Sequence, residues 1–231
     1  MALEISKGSA QFLFGFSELS QLEKWLKENP QVIGLSFVGR SNVGKSSMIN
    51  SLFGKKTARV SNTPGRTREI NIFSFKLVDE SGLRDDLPPF YLFDLPGYGF
   101  AEVSKDMQKK WDQLMSCFFS LVSPRTLMIN IQDARHPNQK NDQEFHQFLK
   151  RYPFETHLIF NKIDKLKTQK ERALLNKLKP ELFKEYKWVK QIYFASAETR
   201  QGMPEVELAI TTFITHKLLV IEHEKHGPAA D

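Results

Sequence analysis

Cysteine is almost absent. Cys117 is the only one in 231 residues, so the chain has no intrachain disulfide. Its neighbours Leu114, Met115, Phe118 and Phe119 mark it as a small apolar filler rather than a reactive thiol. Long apolar runs are absent too: none approaches the roughly 20 residues that cross a bilayer. Met1 to Ala10 lacks the apolar stretch behind a basic start that a secretory signal needs. There is no internal repeat and no linker-like stretch. From these absences a cytoplasmic, monomeric protein without membrane attachment is expected, with one domain over 1–218 and a disordered tail over 219–231.

What is present is an ordinary globular composition, 40 % hydrophobic and 26 % charged. The charge is unbalanced. With 33 Lys and Arg against 27 Asp and Glu, the formal charge is +6 and the pI about 9.3. That favours an anionic partner, of which RNA is the obvious kind.

Apolar periodicity sets out the elements. Leu19, Leu22, Trp25 and Leu26 give a helix over 17–28, with Ser20 and Glu23 as a candidate capping box, stopped by Asn29-Pro30. Strands are read at 32–38, 70–78, 90–94, 127–131, 157–160 and 191–194. Helices follow Ser46 and cover 105–120, 142–150, 169 to 178 or 184, and a closing segment marked by Val206, Ala209, Ile210, Phe213 and Ile214. The turn-rich 79–89 makes 70–78 and 90–94 an antiparallel hairpin. The expected fold is a doubly wound α/β unit: a mostly parallel six-stranded sheet, one strand antiparallel, helices on both faces. Ligands of such sheets bind beyond the carboxyl ends of the strands, where the polar motifs of this chain fall.

The first motif is Gly39-Arg40-Ser41-Asn42-Val43-Gly44-Lys45-Ser46, followed by Ser47, between an apolar strand and a helix. This is the phosphate-binding loop in its proper context. Its glycines let successive N–H groups curl around phosphate oxygens, and the helix adds its positive N-terminal end. Lys45 is placed to reach the β- and γ-phosphates, and Ser46 to offer its hydroxyl to magnesium. Asp94-Leu95-Pro96-Gly97 closes another apolar strand. Asp94 can hold magnesium through water, and a Gly97 N–H can meet the γ-phosphate.

Asn161-Lys162-Ile163-Asp164 reads the base. Guanine presents N1–H and its 2-amino group side by side, and one carboxylate, Asp164, accepts both; adenine offers no such pair. Asn161 can contact the base or tie its loop to the phosphate loop. The Lys162 stem can cover the base. Ser196-Ala197 follow the last strand, where the Ala197 N–H can meet the guanine oxygen. In the polar basic stretch Thr63-Pro64-Gly65-Arg66-Thr67-Arg68, Thr67 or Thr63 can ligate magnesium, Thr67 being preferred.

These motifs resemble the translation-factor-related GTPases, in the TrmE-Era-EngA-EngB-Septin-like superfamily, and most closely the EngB (YihA/YsxC) family. The resemblance rests on GRSNVGKSS at 39–47, TPGRTR at 63–68, DLPGYGFA at 94–101, NKID at 161–164, SA at 196–197 and the Asp133-Ala-Arg-His-Pro137 segment. It implies a small-GTPase fold, GTP and GDP as ligands and slow hydrolysis with Mg2+. It also implies a role in assembling the large ribosomal subunit and so in cell division, with precursor rRNA and ribosomal proteins as partners. The site residues implied are Gly39 to Ser47, Gly65, Arg66, Thr67, Asp94 to Gly97, Asn161, Lys162, Asp164, Ser196 and Ala197, with Lys45, Thr67 and Gly97 nearest the chemistry.

Many GTPases place a water-orienting glutamine directly after the DxxG glycine. Here that residue is Tyr98, so slow turnover is expected. Asn42 either braces its loop or helps hold a potassium ion, K+, against the phosphates. The rival reading is a GTP-regulated RNA-binding module whose hydrolysis is incidental.

Overall fold

The computed structural model describes residues 3–58, 69–99 and 104–226. Its strands and helices in chain order are β1 (Glu4–Ile5), β2 (Gln11–Phe16), α1 (Leu19–Glu28), β3 (Ile33–Gly39), α2 (Lys45–Phe53), β4 (Ile70–Phe75), β5 (Leu77–Asp79), β6 (Gly82–Leu83) and β7 (Phe90–Asp94). They continue with α3 (Lys105–Leu121), β8 (Thr126–Asp133), α4 (Lys140–Leu149), β9 (Thr156–Asn161), α5 (Gln169–Glu185), β10 (Gln191–Phe194) and α6 (Met203–His226). The main sheet has the order β10-β9-β8-β3-β7-β4-β2. Only β4 runs against the others: it pairs antiparallel with β7 on one side and with β2 on the other.

The sheet therefore has seven strands rather than six. The added strand, β2, is an edge, and its pairing with β4 shifts register between Phe12 and Phe14. The stretch 70–78 also divides. Its first part joins the main sheet, and Leu77–Asp79 joins β1 and β6 in a small three-stranded sheet. Helix α1 starts at Leu19 with Glu18 before it, so the Ser20–Glu23 capping box does not form. Ser20 is already inside the first turn, and Glu23 instead accepts from Lys27 Nζ at 2.6 Å.

Alternation along the inner strands separates two faces. On β8, Leu127, Ile129 and Ile131 share a core with Leu35 and Phe37 of β3, Ile49 and Leu52 of α2, and Met203, Ile210 and Phe213 of α6. Met128 points the other way, into a core with Leu22 and Leu26 of α1, Phe118 and Phe119 of α3, and Phe145 of α4. Helix α5 lays Leu175 and Leu182 over Leu158 and Phe160 of β9. The tail expected to be disordered from 219 is helical through His226. Leu218 and Ile221 pack on the first core, and Arg125 Nη2 donates to Glu224 at 2.5 Å.

Candidate functional site

The parallel strands β3, β7, β8, β9 and β10 all end on one rim, and every described motif follows one of those ends. The loop after β3 turns into α2 through Gly44, at φ 94°. A side chain there meets a left-handed backbone and also runs into Asn161 Nδ2. The closeness has a purpose. Asn161 Nδ2 donates to the Val43 carbonyl at 3.0 Å, while its Oδ1 accepts from the Ala197 N–H at 3.0 Å. Of the two roles open to Asn161, it fills the tie between loops. The Ala197 N–H, expected to meet the guanine oxygen, is engaged by Asn161 for the same reason.

Lys162, in left-handed backbone at φ 69°, sends its Nζ to the Asn42 carbonyl and to Asp133 Oδ2, the latter at 3.0 Å. Asn42 itself sits at φ 64°, a conformation asparagine tolerates better than most residues. Burial works against ionising Asp133. Arg135, through Nε at 2.9 Å and Nη2 at 2.6 Å, together with Lys162 nonetheless holds its pKa at about 2. Asp164 accepts from Ser196 Oγ at 2.6 Å and lies 3.1 Å from Lys165 Nζ. Burial pushes its pKa up, but Ser196 and Lys165 outweigh this and keep it below the usual range. It is an ionised acceptor on the same rim as the phosphate loop.

At the end of β7, the buried Asp94 accepts a hydrogen bond from Lys45 Nζ. Ser46 and Ser47 occupy the first turn of α2. Gly97 comes close enough to the phosphate loop that a Cβ would stand 3.1 Å from the Gly39 carbonyl and 3.2 Å from Ser41 N and Oγ. One implied contact turns out differently, and one side chain is turned elsewhere. Leu95 is fully buried and its N–H donates to Phe37 O at 3.0 Å, which removes it as a phosphate donor. The Arg40 guanidinium faces away from a nucleotide. Its Nε donates to both Asp142 oxygens, at 2.9 and 3.0 Å, and Nη2 to the His136 carbonyl at 3.1 Å. Gly65, Arg66 and Thr67, with Thr63, lie outside the described residues.

Behind the rim is a buried polar network. The Tyr98 N–H donates to Gly39 O at 3.3 Å, and its side chain is buried. The ring stacks on Phe145 with centroids 4.3 Å apart, and its hydroxyl donates to Asp142 Oδ1 at 2.9 Å and accepts from Asn130 Nδ2 at 3.2 Å. Asn130 Oδ1 in turn faces His146 Nε2 at 3.1 Å. Burial, with the Asp142 charge beside it, drives the Tyr98 pKa far up. Burial also pushes the Asp142 pKa up and the His146 pKa down to about 3. The sequence carried one signal for this network: Asn130, a polar residue within the apolar run of positions 127–131.

A guanine acceptor, a phosphate loop and a carboxylate–lysine pair on one rim suit a guanine nucleotide. A family model described as a 50S ribosome-binding GTPase matches residues 35–162, more than half of the chain. A protein of Brucella melitensis biotype 1 named "Probable GTP-binding protein EngB" is 40 % identical over 187 residues, 79 % of this chain and 75 % of that one. The chain belongs to the EngB family. It is a GTPase that binds GTP and GDP. A solved EngB structure, 23 % identical, superposes with a TM-score of 0.54 over 79 % of this chain and 99 % of that one. Era in complex with MgGDPNP and nucleotides 1506–1542 of 16S ribosomal RNA is 22 % identical, with a TM-score of 0.61 over 79 % of this chain and 57 % of that one. Both share the fold. Among the described residues of this EngB chain, no helix is long and apolar enough to cross a membrane.

Proposed function

We propose that this GTPase is a slow, magnesium-dependent switch, carried by one nucleotide-binding domain, that acts in the cytoplasm on a precursor of the large ribosomal subunit and thereby supports cell division. The observation that carries the nucleotide part is Asn161. One side chain joins the phosphate loop to Ala197, next to the Ser196 that orients Asp164, so base reading and phosphate binding share one frame. The ribosomal part draws on the description of the family model and on the RNA bound by the Era relative.

In this reading N–H groups of the loop between Gly39 and Ser47 cradle the phosphates and Lys45 reaches the β- and γ-oxygens. Asp164 accepts from guanine, with Lys162 beside the base. Ser46 and Asp94 are oxygen donors of the kind Mg2+ takes alongside phosphate and water. Thr67, with Gly65 and Arg66, would complete the γ-phosphate side. Magnesium supplies charge neutralisation of the transferred phosphoryl group. Lys45 and Asp94 already neutralise each other, so a phosphate with its magnesium replaces one compensated pair by two. Gly97 senses the γ-phosphate through its N–H. Tyr98 is aimed at Asp142 and contributes nothing to water positioning, which is why turnover is slow. Asn42 is the position for a K+ ion.

Two measurements test this. Competition binding must favour GTP over ATP by 10²-fold or more. Co-sedimentation with large ribosomal subunits must differ between the GTP- and GDP-loaded protein; equal sedimentation refutes the switch. A GTPase rate equal in matched potassium and sodium buffers removes the Asn42 assignment. A Lys45→Ala variant that still supports subunit assembly favours an RNA-binding module with incidental hydrolysis.

A further inference from the structure

The positive charge of this protein is not spread over it. Between residues 162 and 190 stand ten Lys and Arg against four Asp and Glu, an excess equal to the whole formal charge of +6. The rest of the chain holds 23 of each sign. That segment begins with the base-reading motif, runs through α5 and ends at the edge strand β10.

Part of the charge has local work. Lys162 and Lys165 face Asp133 and Asp164, Arg172 Nε donates to the Leu166 carbonyl at 2.8 Å, and Lys179 Nζ lies 4.5 Å from the centre of the Phe194 ring. The others do not. Lys167, Lys170, Lys177, Lys184, Lys187 and Lys190 are exposed, and none forms an ion pair with a carboxylate of the described residues. Lys170, Lys177 and Lys184 stand seven residues apart. Two turns of helix separate each from the next, so they form one stripe on the side of α5 away from Leu175 and Leu182. At 1.5 Å per residue they are about 10 Å apart, and the stripe is about 21 Å long. Glu181 lies between the last two and pairs with neither. Aligned like charges oppose helix formation slightly, so folding does not call for this arrangement.

We infer that the Lys170–Lys177–Lys184 face of α5, extended by Lys187 and Lys190, is a docking surface for the phosphate backbone of structured RNA. This rests on the reading that the protein acts on a ribosomal precursor, and it names the surface that does so. A row of lysines supplies point charges at intervals without the planar fork that reads carboxylates, which suits a backbone of repeated phosphates. A protein partner would call for a cluster of apolar anchors; on α5 the exposed large apolar side chains are Leu174, beside the stripe, and Phe183, turned away from the Lys170–Lys177–Lys184 row, and the two are nine residues apart rather than clustered. Because α5 follows the 161–164 motif directly, the surface lies next to the loop that holds guanine.

The test is fluorescence anisotropy of a labelled 20-base-pair RNA hairpin, titrated with the full-length protein from 50 to 300 mM KCl. Each phosphate contact contributes about 0.7–0.9 to the slope of log K against log salt. The variant Lys170→Gln/Lys177→Gln/Lys184→Gln is expected to reduce that slope by about 2–3 and to weaken binding about 10²-fold at 100 mM salt, with GTP affinity and Tm unchanged. The control Lys24→Gln/Lys109→Gln/Lys110→Gln, on exposed lysines elsewhere, is expected to move the slope by less than one. An unchanged slope in the α5 variant, or an equal fall in the control, overturns the assignment. So does loss of binding to a poly-glutamate probe with hairpin binding intact, which would mark an acidic protein as the partner. Co-sedimentation separates this proposal from the switch itself. If wild type does not distinguish GTP from GDP, the switch reading fails whatever α5 does. If wild type does and the α5 variant sediments equally well, only the surface is refuted.

Discussion

Removing the Tyr98 hydroxyl separates a structural role from a chemical one. In Tyr98→Phe the ring keeps its stack on Phe145, and the deleted oxygen takes two hydrogen bonds with it, to Asp142 and from Asn130. Asp142 keeps the Arg40 contacts. Asn130 Nδ2 is left in a fully buried position without its hydroxyl acceptor. One lost bond to a charged group, about 1.5–3 kcal/mol, and one stranded donor, about 1–3 kcal/mol, together cost about 2.5–6 kcal/mol. With a urea m-value of about 2–3 kcal/mol/M, the midpoint falls by about 1–3 M. The phenol points into the network and not toward the rim, so single-turnover GTP hydrolysis should stay within about threefold of wild type, less than about 0.7 kcal/mol of barrier. Tyr98→Gln restores the amide found in many GTPases, yet it should not accelerate the reaction. The position is buried against Phe145 rather than open to the rim, and the shorter amide leaves a gap there costing about 3 kcal/mol or more. A fall of 10²-fold or more in hydrolysis for Tyr98→Phe at an unchanged urea midpoint would refute this, as would acceleration in Tyr98→Gln.

Asp164→Asn exchanges an acceptor pair for an amide, and GTP affinity should drop by about 10²-fold or more. Binding of xanthosine triphosphate, whose 2-oxo group accepts where guanine donates, should be retained or gained, read by competition titration. Stability should decline on acidification. His146 is held neutral, with its pKa near 3 in the fold, whereas the unfolded chain takes up a proton below about 6.5, so stability is lost as pH falls through that window at up to about 1.4 kcal/mol per unit. Asp133, held at about 2, adds a further loss below about pH 4. His157, also depressed by burial, contributes in the first window, so His146→Phe should flatten but not abolish the slope of urea midpoint between pH 7 and 5. Deleting residues 218–231 removes Leu218, Ile221 and the Arg125–Glu224 pair. The cost is about 2 kcal/mol, a fall in Tm of about 4–8 °C.

The sequence was most legible where chemistry and geometry demand the same residues. The loop glycines, Lys45, Asp94, Asn161 and Asp164 each follow a strand whose apolar run announces it, and the strand order brings their ends together. The hairpin partners were legible from the turn-rich stretch between them. The edge strand β2 was not: Gln11–Phe16 lacks clean alternation, because a register shift between Phe12 and Phe14 breaks the period. The length of α6 was hidden by its polar last turns, which hold through a few contacts made far from the neighbouring sequence. The motif places Arg40 on the rim with its neighbours and marks Tyr98 only by the glutamine it replaces. Their side chains turn inward for a reason no local pattern states: Asp142, about a hundred residues beyond Arg40, waits beneath them.

Helix α6 carries a consequence for the nucleotide pocket. Met203, Val206, Ile210, Phe213 and Ile214 share one core with Ile49 and Leu52 of the phosphate-loop helix and with Leu35 and Phe37 of the strand before it. Together α2 and α6 cover that face of the sheet. The phosphate loop is therefore propped, through α2, by an element that begins more than 150 residues further along the chain. A substitution that opens this shared core reaches the nucleotide pocket without touching any residue of the rim.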